Sequence, residues 1–188
     1  MHHKQWGAMD QDRQAREARF TRLYDAHYSA VRAYAWRRGP DTADDVVAET
    51  FTLAWQRLES LPAEPLPWLI GIARNVRLNQ QRGERRRRDR EMRSAQAEDI
   101  PPFTEGLEAH SSLADAFRRL SEGDREILLL AAWERLDRAG LATALGCSKT
   151  AAGVRLYRAR RRLAAQLLLI EAESDGISAA RGGLLDEC

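Results

Sequence analysis

The chain has 188 residues, 44% of them hydrophobic and 7% aromatic, enough for one or two domains with small cores. No apolar run approaches the roughly 20 residues that a membrane-spanning helix needs, and no secretory signal opens the chain, so a cytoplasmic protein without membrane insertion is expected. Net charge is only +2, but basic and acidic residues are segregated along the chain, and the segregation says more about partners than the sum does.

The N-terminal half reads as three helices. Phe20, Leu23, Tyr24, His27, Val31, Tyr34 and Ala35 recur at helical spacing, and Gly39-Pro40 stops that run. Asp41 or Thr42 is positioned to cap the next helix, in which Val46, Val47, Thr50, Phe51, Ala54 and Leu58 form one stripe. Asp44, Asp45, Ala48, Glu49, Thr52 and Gln56 lie toward its other side. Asp44 and Asp45 fall in the first turn, where the helix macrodipole suffices to explain them. Glu49 lies a turn further on beside Ala48, and the macrodipole does not explain it. The strip is acidic and shallow, suited to a basic partner helix.

A loop from Leu61 to Pro67 leads to a third helix opening at Pro67-Trp68. Leu69, Ile70, Ile72, Ala73 and Val76 point inward, whereas Arg74, Asn75, Arg77, Asn79, Gln80, Gln81 and Arg82 lie mostly outward. Arginine neutralises phosphates, and asparagine and glutamine hydrogen-bond bases. A basic block, Arg82 to Arg93, closes this half.

From Ser94 to Phe117 there is no lysine or arginine, but there are Glu98, Asp99, Glu105, Glu108 and Asp115, with Pro101, Pro102 and Gly106. This composition predicts a linker. It is either a polar tether or an acidic strand able to occupy a nucleic-acid channel or mask the basic blocks. The last stretch, Ser174 to Cys188, is rich in Gly, Ser and Ala and is expected to be disordered.

Residues 136 to 163 read as two short helices joined by a tight turn. Leu141, Ala142 and Leu145 form the narrow stripe of the first, Gly146 ends it, and Ser148 is placed as an N-cap for the second. In the second helix Ala152, Leu156, Ala159 and Leu163 make the buried stripe, leaving Lys149, Thr150, Gly153, Val154, Tyr157 and Arg158 outward. The run from Lys149 to Leu163 contains no acid, and such a face suits a major groove. An ordinary basic amphipathic helix would show the same stripe.

Nothing points to catalysis. There is no glycine-rich phosphate loop and no arrangement of nucleophile and base, and Cys147, Cys188 and the four histidines have no metal-ligand spacing. Neither a cofactor nor a metal is expected.

Taken together, RLYDAHYSAVRAYAWRRG, ADDVVAETFTLAW, PWLIGIARNVRLNQQRGERRRR and LSEGDREILLLAAWERLDRAGLATALGCSKTAAGVRLYRARRRL resemble, in order and spacing, the extracytoplasmic-function group of bacterial RNA polymerase sigma factors. The resemblance implies an all-α chain of two small helical domains joined by a flexible acidic linker. A sigma-2-like domain would span 16–93, the linker 94–112 and a sigma-4-like helix-turn-helix domain 113–170, with a tail over 171–188. It also implies a non-enzymatic protein that directs core RNA polymerase to promoter DNA and is held in check by an anti-sigma factor. Asp45, Ala48, Glu49 and Phe51 would meet the polymerase clamp. Trp68, Arg74, Asn75, Arg77, Asn79 and Arg82 would bind the melted −10 strand, and Lys149, Thr150, Val154, Arg155, Tyr157 and Arg158 the −35 duplex.

Three departures stand out. Glu64-Pro65-Leu66-Pro67 makes the loop before Trp68 stiff, Ala48 replaces a common glutamine, and Gly153 and Val154 stand where longer or polar side chains are usual. Gly153 lowers helix stability by roughly 1 kcal/mol relative to alanine and has no side chain of its own to offer. The alternative from another class is a stand-alone helix-turn-helix repressor that dimerises through its N-terminal half.

Overall fold

The computed structural model describes residues 2–91 and 112–183, with side chains over 10–84, 86–87 and 112–173. Among the described residues the only regular structure is helical, with no strand. The elements fall into two compact units, the first built on α1–α3 and the second on α4, α5 and α7 with the N-terminal part of α6.

In the first unit α1 (His2–Trp36), α2 (Ala43–Gln56) and α3 (Pro65–Glu91) pack on one another. Helix α1 begins well before Phe20. The segment ahead of that residue is rich in strong helix formers, and Arg13 pairs with Asp10 and Glu17 at one-turn spacing. Pro40 opens a short 3-10 turn, Pro40–Thr42, between α1 and α2. Thr42 takes the N-cap position of α2 without a side-chain cap, because its hydroxyl donates instead to the Gly39 carbonyl at 3.4 Å.

The predicted stripes form the core. Val31, Tyr34, Val46, Thr50, Leu58, Leu69 and Ile70 are all less than 2% exposed. Thr50 tolerates burial because its hydroxyl donates to the Val46 carbonyl at 2.6 Å. An aromatic cluster closes one flank, with Phe20 edge-on to Trp55 at 5.1 Å between centroids and Tyr24 tilted on Phe51 at 4.7 Å. Arg16 stacks 4.7 Å over the Trp55 ring and donates to the Trp55 carbonyl at 3.1 Å, near the end of α2.

Helix α3 starts at Pro65, two residues before the predicted Pro67-Trp68 opening. Both prolines fall in the first turn, where the N–H that proline lacks would have had no intrahelical partner. The segment expected as a stiff loop is therefore partly the start of the helix.

The second unit contains α4 (Ser112–Arg118), α5 (Glu122–Ala132), the N-terminal part of α6 (Arg138–Leu145) and α7 (Lys149–Gly183). Helix α7 packs along α4 and α5, with Ala114, Phe117, Leu120, Ile127, Leu130, Ala152, Ala159 and Ile170 buried. Ser112 to Phe117, which the acidic composition assigned to the linker, belongs to α4, because Ala114, Ala116 and Phe117 supply it with a buried face. The rest of that segment, 94–111, lies outside the described residues. Helix α7 continues to Gly183, through the first part of the tail expected to be disordered, while 184–188 also lies outside them. No described helix is long and apolar enough to cross a membrane.

Candidate nucleic-acid and polymerase interfaces

The turn between α6 and α7 is built from its residues as expected. Gly146 takes φ +63°, the Gly146 N–H bonds to the Thr143 carbonyl, and the Cys147 N–H reaches back to the Ala142 carbonyl at 3.0 Å. These two bonds make a Schellman motif that needs a left-handed residue, which glycine adopts without strain. Ser148 Oγ then accepts the Ala151 N–H at 3.1 Å, capping α7. At the other end of α6, Asp137 Oδ1 accepts the Gly140 N–H at 2.7 Å. Both helices thus begin on a side-chain cap, and the turn between them is fixed by backbone bonds.

The face of α7 that this turn presents is open. Lys149, Thr150, Val154, Arg155, Tyr157 and Arg158 are all exposed, and Tyr157 is exposed by 66%. Ala152 and Ala159 on the opposite side have no exposed surface. A basic surface carrying an exposed tyrosine and a valine offers donors to phosphates and base edges and apolar contact to a thymine methyl.

In the first unit Asp44, Asp45, Ala48, Glu49, Thr52 and Gln56 are exposed along one side of α2. Asp44 lies 3.7 Å from Arg32 of α1, so Asp45 and Glu49 are the carboxylates of the strip with no ion pair among the described residues. Phe51 departs from the expectation. It is 3% exposed and its ring is packed against Phe20 and Tyr24, because the stripe that buries Val47 and Ala54 also takes position 51 inward. Phe51 holds α2 against α1, its ring taken up by that packing.

Of the residues expected to bind the −10 strand from α3, Asn75, Asn79 and Arg82 are exposed, with Arg82 donating to Asn79 Oδ1 at 3.3 Å. Trp68, Arg74 and Arg77 are half-buried. The Nε atoms of Arg74 and Arg77 are themselves buried.

Two family profiles match, Sigma-70 region 2 over residues 23–87 and Sigma-70 region 4 over residues 110–163. The chain is 33% identical over 155 residues to the ECF RNA polymerase sigma factor BldN of Streptomyces coelicolor, covering 77% of this chain and 59% of that protein. It is 30% identical over 149 residues to the ECF RNA polymerase sigma factor SigL of Mycobacterium tuberculosis, covering 75% and 84%. The chain belongs to the extracytoplasmic-function sigma factors. Its fold is similar to the sigma factor RpoE of Bartonella quintana, crystallised in complex with the anti-sigma factor NepR, with a TM-score of 0.59, 27% identity and coverage of 79% of this chain and 96% of that one.

For a sigma factor, the basic run that ends the recognition segment has an uneven fate. Arg160, Arg161 and Arg162 are all exposed, but Arg162 also bonds to both oxygens of Asp124. Asp124 is 9% exposed, and its carboxylate also receives the Ser121 hydroxyl at 2.8 Å. From the surface, this arginine neutralises a nearly buried carboxylate of α5. Further along α7, Glu173 is held by Arg119 through two bonds of 2.9 and 3.3 Å. The hydrogen bond and charge of Arg119 lower the Glu173 pKa, and the same bond and charge raise that of Arg119. Sequence reasoning missed both pairs because their partners are distant in the chain.

Proposed function

We propose that this sigma factor brings core RNA polymerase to its promoters by dividing the work between its two units. The α7 face of Lys149, Thr150, Val154, Arg155, Tyr157 and Arg158 binds the −35 duplex. The α3 face of Asn75, Asn79 and Arg82, with the half-buried Trp68, Arg74 and Arg77, holds the melted −10 strand. Asp45 and Glu49, with Ala48 between them, meet a basic surface of the polymerase. The domain limits are those of the sequence reading, 16–93 and 113–170.

The observation that carries this reading is the exposed, acid-free face of α7 set behind a capped helix-turn-helix turn. The mechanism is binding without chemistry by this chain. Phosphate contacts orient the duplex, and capture of unpaired bases favours melting because only the open strand fits the α3 face. Nucleotidyl transfer belongs to the polymerase, and this chain acts beside it in the cytoplasm. The RpoE–NepR complex supports an anti-sigma factor as the regulatory partner here too.

Duplex binding with and without core polymerase tests the reading. Promoter-specific binding should arise only in the holoenzyme. Tight binding of a palindromic duplex by the protein alone would instead establish a repressor.

A further inference from the structure

Gly153 lies one turn from both Lys149 and Tyr157 and leaves their stripe of the recognition face without a side chain. Something else fills the place. A Cβ built at Gly153 would lie 3.2 Å from Nε, 3.4 Å from Cδ and 3.7 Å from Cζ of Arg138. The side chain of the first residue of α6 is thus laid across the α7 backbone, in a notch that only glycine leaves fully open.

Helix stability does not account for an arginine at that position. A cation in the first turn of α6 opposes the macrodipole. The neighbouring carboxylate, Asp137, is committed to the Gly140 N–H, and Arg138 is exposed. Its guanidinium has five donors in a planar fork and a permanent charge, a shape that matches a phosphate. In helix-turn-helix proteins the first helix crosses the DNA backbone while the second enters the groove.

We propose that Arg138 is a further phosphate-binding residue of the −35 interface, delivered onto the recognition face through the notch at Gly153. The inference rests on the reading of α7 as the −35 helix and adds to it a residue from the preceding helix. Gly153 then has a role that its missing side chain conceals. It trades helix propensity for a second cation beside Lys149.

The test is a double-mutant cycle in full-length protein assembled with core polymerase, on a promoter fragment chosen by start-site mapping and on a copy with a scrambled −35 element. Arg138→Ala should weaken binding to both fragments alike, on the order of tenfold at low salt, and lower the salt dependence by about one counterion. Gly153→Ala should lose part of the same affinity without lowering Tm, because its Cβ presses the guanidinium aside while alanine favours the helix. In the Arg138→Ala background it should cost nothing further. A loss confined to the matched promoter would overturn the phosphate assignment, and additive losses would overturn the notch. If Arg158→Ala weakens matched binding and Arg138→Ala does not, the inference fails while the −35 reading stands. If neither variant changes binding, that reading itself fails.

Discussion

One nitrogen of Arg162, Nη1, donates to both carboxylate oxygens of Asp124, at 2.9 and 2.7 Å, and ties the basic run of α7 to the first turn of α5. Asp124 completes a reciprocal cap there, its backbone N–H donating to Ser121 Oγ at 3.2 Å while Ser121 Oγ donates to its carboxylate. Replacing Arg162 by methionine keeps much of the stem and leaves a nearly buried carboxylate short of its countercharge. The expected loss is on the order of 2 kcal/mol of stability. Arg161→Met, at an exposed position, should leave stability within about 0.5 kcal/mol of wild type. Urea unfolding of the two variants checks this, and equal midpoints would show that the Asp124 pair is not stabilising.

The same comparison separates anchoring from reading on DNA. Arg158 is exposed near the middle of the presented face, so Arg158→Ala should cost about 1–3 kcal/mol on the matched promoter and flatten preference at one or two −35 positions. Arg161→Ala should weaken matched and mismatched sites alike and lower the salt dependence by about one counterion. Holoenzyme titrations at several salt concentrations measure both. Equal loss on every sequence for the Arg158 variant would reduce α7 to an anchor.

On α2, Asp45 and Glu49 are exposed with no ion pair among the described residues. Reversing both to lysine should abolish co-purification with core polymerase and leave the helical circular dichroism unchanged. Retained polymerase binding would remove them from the interface. Phe51→Ala should act differently, because truncating a buried ring costs about 3–5 kcal/mol and loosens α2 from α1.

Much of this arrangement was readable from residue order. Helical stripes, glycine stops and serine caps are local, so the inward faces of α2 and α3 and the outward face of α7 follow from spacing alone. What spacing does not carry is the partner of a charge. Arg162 looks like its neighbours in sequence, and only the packing of α7 on α5 brings Asp124 to it. Arg138 and Gly153 are likewise invisible as a pair, since a glycine gives no sign of which side chain crosses it. By spacing Phe51 suits the buried stripe, and the fold buries it there.

The Arg119–Glu173 pair gives a pH prediction. The hydrogen bond and charge of Arg119 hold the Glu173 carboxyl below its ordinary range. A carboxyl with a depressed folded value adds its support above the unfolded value and loses it as pH falls through the folded one. The tie between α4 and the distal part of α7 should therefore hold at neutral pH and release in acid, with salt weakening it throughout. An NMR titration of the Glu173 carboxyl should give a midpoint that rises to the usual glutamate range in Arg119→Gln. An unchanged midpoint would show that the pair does not form in solution.

On α3, alanine at Asn75, Asn79 and Arg82 should impair open-complex formation more than recruitment to the duplex. Permanganate footprinting reads the open strand, and a template carrying a pre-melted bubble should restore much of the signal because unpairing has already been done. No rescue on the bubble would move the function of these residues elsewhere.

The most direct measurement is in vitro transcription with core polymerase over a genomic fragment library, mapping the starts that appear only when this protein is added. New starts sharing spaced −35 and −10 elements, and lost together with the Asp45→Lys, Glu49→Lys protein, are the expected result. No added starts, with tight binding of a palindromic duplex by the protein alone, would contradict promoter direction by this chain.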